Sequence, residues 1–206
     1  MTGSGLDRSR AVMDLSRLPT YAFGSRSPMW WGTLGFILIE SAAFLLAISA
    51  YFYLAAGVPD WPIGAPPPDL LAGTLLTIVL VLSAIPNHFV ERWARAEDMW
   101  KVRMGLVIMS ILGVVPLVLR GFEFASLNIL WNVNAYGSIL WGLLGLHTLH
   151  LLTDVVDTLV LTALMFTRHG YSGKRFSDVS DNAFYWDFVI ISWLPIYALI
   201  YWVPRL

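Results

Sequence analysis

Four ionisable residues, His147, His150, Asp154 and Asp157, sit inside one long apolar stretch running from Ala135 to Phe166. Their spacing of i, i+3, i+7, i+10 places all four on one face of a helix. Imidazoles and carboxylates in that pattern can ligate a metal, hold a proton or bond to a neighbouring helix. A haem reading is weakened because two histidines at i, i+3 project from the same side and cannot take opposite axial positions of one iron. A bis-histidine haem would therefore need His88 from another segment. A di-metal reading would recruit Glu40, yet the Glu-x-x-His motif of helical di-metal sites is absent. The plainer reading has His150 and Asp154, at i, i+4, bonded to each other while the stripe holds helices together. Glu40 itself is an acid inside a second apolar stretch, either functional or a structural hydrogen-bonding group.

These residues are expected on membrane-crossing helices. Of the 206 residues, 57% are hydrophobic and 13% charged, and the mean hydropathy is +0.67. Soluble domains carry about 25% charged residues. The near-neutral net charge argues against nucleic-acid binding, and the lack of cysteine excludes disulfides and thiolate sites. Apolar runs predict an all-α polytopic membrane bundle of five transmembrane helices, over about 30–54, 70–90, 104–122, 135–166 and 184–203. Residues 1–27 read as a tail, and 28–206 as a single transmembrane domain. The segment GVPDWPIGAPPPD after the first span is too rich in Pro and Gly to remain helical. Residues 167–180 read as a basic, polar loop.

Lys and Arg counts orient the chain. Arg8, Arg10, Arg17 and Arg26 precede span one, Arg92, Arg95, Lys101 and Arg103 lie between spans two and three, and Arg168, Lys174 and Arg175 lie between four and five. The opposite side has Arg120 and Arg205. The N terminus is thus expected in the cytoplasm and the C terminus outside. No inverted repeat of the transporter kind is visible. Arg120 and Glu123 read as an exposed pair at the outer face, which would be worth little. His88, Glu91, Arg92, Arg95, Glu97 and Asp98 read as a solvated helix end or a partner surface.

Several local patterns resemble one family in the same order along the chain. Gly32, Phe36 and Glu40 resemble the first shared helix of haem–copper oxidase (cytochrome c oxidase) subunit III, in which an acid lies mid-helix. Glu123 ahead of Tyr136-Gly137-Ser138 is similar to that family's acid before its Tyr-Gly-Ser turn. The run Gly145-Leu146-His147-Thr148-Leu149-His150 resembles its Gly-Phe-His-Gly-Leu-His. Tyr185-Trp186-Asp187-Phe188-Val189 resembles its Tyr-Trp-His-Phe-Val segment. Trp30 stands where the family often has an Arg, Ile39 where it has Ser, Asp187 where it has His, and Asp154 where a small residue is usual.

The resemblance implies the short, five-helix form of the subunit, in a bacterial-type cytoplasmic (inner) membrane. It implies a non-catalytic role beside catalytic subunit I of a respiratory terminal oxidase, supporting proton uptake and stability. Haem and copper are then expected in the partner, none in this chain, and bound phospholipid is expected along it. An accessory subunit of a nitric-oxide reductase or a quinol oxidase would share the patterns. A membrane cytochrome or di-metal enzyme using His88, His147 and His150 is the remaining alternative. Glu40, His147, His150, Asp154, Asp157 and Glu123 are the expected buried polar or proton-related positions.

Overall fold

The structure is a computed structural model describing residues 21–206; positions 1–20, which hold most of the expected basic tail, and the His169 side chain lie outside the described residues. Five long helices make up the chain: α1 (Pro28–Ala56), α2 (Leu70–Arg95), α3 (Met99–Ala125), α4 (Ala135–Met165) and α5 (Gly173–Tyr197). Each is long and apolar enough to cross a membrane. The described residues include no strand, so the chain is an all-helical, multi-pass membrane protein.

Local chemistry starts the helices where they start. The Ser27 hydroxyl accepts from the Met29 amide, with Pro28 in the first helical position of α1. Asp98 caps α3 through the Lys101 amide, and Asn134 caps α4 through the Gly137 amide. Beyond Tyr197, α5 continues as a π-helical turn over Ala198–Trp202, just after Pro195. That proline removes a donor and crowds the preceding turn, which is a common cause of such a bulge.

The polar run after α4 is shorter than expected. Residues 173–180 already belong to α5, so the helix begins well before the apolar run at Phe184. Phe176 and Val179 are buried there and give the polar segment an inward face.

Short connections make the helices alternate in direction. At one end, Tyr21 donates to Glu97 at 2.7 Å, Ser177 donates to the Ala22 carbonyl at 2.6 Å, and Arg103 donates to the Met165 carbonyl at 2.7 Å. This end carries most of the Lys and Arg. At the other end Asn134 donates to the Ile63 carbonyl at 2.8 Å and Arg205 reaches the Pro68 carbonyl. Trp61 of the proline-rich loop sits edge-on between Tyr51 and Tyr136.

Helices α2, α3, α4 and α5 pack in a closed ring, and α1 lies outside it in the groove between α4 and α5. Only a narrow stripe of α1 is buried: Ile37, Glu40, Phe44 and Tyr51. Glu40 is therefore carried on the one face of α1 that meets protein.

Candidate functional site

The buried polar groups form two clusters on either side of His147 and His150. In the first, Glu40 of α1 is 8% exposed and meets both other helices of its groove. Its Oε1 lies 2.9 Å from His150 Nε2 on α4, and its Oε2 accepts from the Tyr185 hydroxyl of α5 at 2.7 Å. His150 Nδ1 lies 2.6 Å from the Leu146 carbonyl. A carbonyl cannot donate, so Nδ1 carries the hydrogen there, and Glu40 and His150 must share one further proton between Oε1 and Nε2. Both carboxylate oxygens and both ring nitrogens are thereby used.

The second cluster centres on Arg120, a cation only 1% exposed inside the helix ring. Its Nη1 donates to Glu123 Oε2 at 2.6 Å and its Nη2 to His147 Nδ1 at 2.8 Å. Its guanidinium lies 4.3 Å from the centre of the Trp193 ring. Glu123 Oε1 accepts from the Tyr201 hydroxyl at 2.6 Å. Arginine cannot accept a hydrogen bond, so His147 Nδ1 is the acceptor, and its Nε2–H donates to the Val189 carbonyl at 3.0 Å. The partners fix His147 as the neutral Nε2–H tautomer. The ring of Phe44 lies between the clusters, 4.8 Å from the His150 ring and 6.2 Å from that of His147.

Sequence-based expectations meet several corrections here. Arg120 and Glu123 are not an exposed outer pair; both are buried, and Trp193 and Tyr201 of α5's end enclose them. His150 and Asp154 do not bond each other. They point to different helices, His150 to Glu40 and Asp154 Oδ1 to the Asn182 amide of α5 at 3.0 Å. Asp157 differs from its stripe: it is exposed, although its Oδ2 accepts from Asn182 at 3.2 Å. The stripe rotates by about 20° per heptad relative to a straight seam, which carries Asp157 to the groove's edge.

His88 is exposed on α2 and does not face His147 or His150. Among the described residues no group of His, Cys, Asp and Glu is arranged to hold a metal ion. His147 has both ring nitrogens committed, so the histidines lack the free lone pairs that a bis-histidine haem or di-metal site needs.

The residues that complete these clusters were not singled out for them by spacing. Tyr185, Asn182, Trp193 and Tyr201 all come from α5. Placing 167–180 in a loop hid the register of the polar face of α5. On the helix, Asn182 and Tyr185 are i, i+3 and share one side. Asn87 of α2 also escaped notice; its amide donates to the Ala183 carbonyl at 2.8 Å and to Asp187 at 2.9 Å.

With this geometry in hand, the chain can be compared with known proteins. It matches the family model described as cytochrome c oxidase subunit III over residues 17–204. It is 28% identical to cytochrome c oxidase subunit 3 of Synechocystis sp., over 83% of this chain and 74% of that one. The protein of the same name from Thermostichus vulcanus is 24% identical, over 84% of this chain and 87% of the relative. That of Drosophila yakuba is 25% identical, over 92% and 76%. The match spans all five helices and includes both polar clusters, and the chain belongs to the cytochrome c oxidase subunit III family.

Proposed function

We propose that this chain is the non-catalytic third subunit of a respiratory haem–copper oxidase, assembled with a catalytic subunit I that holds the haem and copper. Its work is to support proton uptake and stability of that partner in aerobic electron transport, with phospholipid bound along its surface. The observation that carries this reading is the closed state of the polar clusters. Glu40, His150, His147 and Glu123 have their reactive atoms occupied by protein partners, leaving no open coordination position or nucleophile beside them. Buried groups satisfied in this way lock helices together. The long exposed apolar face of α1, including Leu38, Ile39, Leu45 and Leu46, suits lipid or an adjoining membrane subunit.

The reading includes an orientation and a place. The Arg- and Lys-rich end faces the cytoplasm, with residues 1–27 as a cytoplasmic tail ahead of the 28–206 membrane domain, in a bacterial-type inner membrane. Affinity purification of the tagged chain from native membranes tests the whole. The expected result is a complex with haem absorption and copper, from which the isolated chain separates with a featureless visible spectrum. Stoichiometric haem or copper on the isolated chain would overturn the proposal.

A further inference from the structure

The groove between α1, α4 and α5 widens toward the charged end into a cavity of about 650 Å³. Its charged groups do not balance. From α4 come Asp154 and Asp157, and from α5 Lys174, Arg175, Asp178 and Asp181. Arg175 is taken by Asp178 at 2.7 Å. Asp181 is 4% exposed, and neither of its carboxyl oxygens has a hydrogen-bond partner. Asp154 is 2% exposed, and its Oδ2 is likewise without one. Asp157 is exposed to the cavity and shares the Asn182 amide with Asp154. Arg95 of α2 acts on Asp181 through space, but Glu91 holds its guanidinium through Nε and Nη2. Glu40, deeper along the groove, is already paired with His150 and Tyr185. Three carboxyls therefore face one lysine, Lys174, which is exposed.

A buried carboxylate without a partner is costly and needs positive charge nearby. A bare metal ion does not fit, because no grouping of donors among the described residues could hold one and the space is far larger than an ion. The rest of the wall is apolar, with Phe36 of α1 and Val160 and Leu164 of α4. We propose that this cavity binds an organic ammonium ion carried on an apolar tail, with the ammonium at Asp157 above Asp154 and Asp181 and the tail along Phe36, Val160 and Leu164. Asp157 makes the direct contact. Asp154 and Asp181 lie just inside the wall and act through a medium of low dielectric, where a charge is strongly felt. The ligand is either the amine head group of a lipid or a free amphiphilic amine. The site goes beyond the accessory-subunit reading and does not depend on it, since its test needs only this chain.

The probe is radiolabelled dodecylamine, protonated at neutral pH, with dodecanol as the uncharged control of equal tail length. Binding to the full chain in detergent is read by scintillation proximity. The native chain is expected to hold the amine at least about tenfold tighter than the alcohol, and Asp157→Asn with Asp181→Asn is expected to abolish that preference. A Cβ added at Gly32, on the cavity wall, meets no atom within 4 Å. Gly32→Phe thus fills the cavity without touching a carboxyl, and should weaken both ligands. This second variant keeps the test readable if the aspartate variant fails to fold. Equal binding of amine and alcohol by the native chain, or native affinity in Gly32→Phe, would overturn the assignment. The chain recovered from vesicles containing both phosphatidylethanolamine and phosphatidylcholine distinguishes the sources. Retained phosphatidylethanolamine displaced by dodecylamine points to a lipid ligand; dodecylamine binding without retained phosphatidylethanolamine points to a free amine.

Discussion

Removing Glu123 should expose how strongly the Arg120 cluster is coupled. Glu123→Ala leaves a guanidinium 1% exposed with no counter-charge, which in a buried pair costs about 3–5 kcal/mol. Trp193 and His147 still receive part of that charge, so the lower end of the range is expected. Arg120→Met strands a carboxylate that is 0% exposed, with only the Tyr201 hydroxyl left to it, at a similar cost of about 3–5 kcal/mol. If the two costs were independent, the double variant would lose about 6–10 kcal/mol, the sum of two such penalties. It should lose much less. With both charges gone, the remaining deficit is a Tyr201 hydroxyl and a His147 Nδ1 without partners, about 1–3 kcal/mol each. The double-mutant cycle should therefore show a coupling of at least about 2 kcal/mol. The assay is unfolding in mixed micelles by added SDS, followed by helical circular dichroism for the four proteins of the cycle. Additive losses, or single variants within about 0.5 kcal/mol of native, would refute the claim that these charges need one another.

Three further outcomes can be checked separately. Glu40→Gln should hardly change the initial oxidase rate of the complex, whereas Glu40→Ala should loosen its association with this chain; equal recovery of Glu40→Ala and native complexes would argue against it. A Cβ at Gly73 would collide with the ring end of Tyr201. Tyr201 is fully buried and tied to Glu123, so Gly73→Ala should cost about 1–3 kcal/mol in the same unfolding assay, and a native midpoint would show that Tyr201 is free to move. Finally, the Lys101 ammonium, 2.7 Å from Asp98, and the Lys101 amide hold the Asp98 carboxyl below the usual carboxylate range. A group whose folded value is lowered stabilises above the ordinary range and loses that contribution as pH falls through it. Native chain should thus weaken slightly more than Asp98→Asn on acidification below about pH 4, and parallel acid titrations of the two would contradict this.

Length and hydropathy made the five helices legible, because a run of about 20 apolar residues has few other uses. The polar seam was legible only in halves. His147, His150, Asp154 and Glu40 announce themselves as ionisable groups in apolar runs, and all four are buried. Their partners do not. Helix α1 is apolar nearly all round, so nothing in its pattern marks Ile37, Glu40 and Phe44 as the face that meets α4 and α5. Tyr185 and Tyr201 look like any membrane aromatic until their hydroxyls are seen on Glu40 and Glu123. Arg120 misled for a related reason. An arginine three residues before a glutamate near a helix end usually lies in water, and only the π-helical turn that folds Tyr201 over Glu123 takes the pair inside.

The placement of these bonds says which helix is free to leave. In lipid, apolar surfaces gain little by meeting each other, so polar bonds and close packing decide helix association. Helix α5, with its terminal turn, supplies such bonds to every neighbour. Trp186 donates to Ser83 and Trp193 to Thr77 of α2, Tyr201 donates to Glu123 of α3, and Asn182 donates to Asp154 of α4. Helix α1 receives one, from Tyr185, and the same Glu40 carries its contact with His150 of α4. One carboxyl therefore joins α1 to two helices at once, while α2, α3 and α4 also pack against one another in the ring. Loss of Glu40 should separate α1 from the ring before the ring itself opens. In the unfolding assay, Glu40→Ala should make cysteine pairs engineered between α1 and α4 lose their cross-linking at lower SDS than pairs between α2 and α5. Simultaneous loss of both pairs would mean that α1 is held by packing, and that Glu40 is not its principal tie.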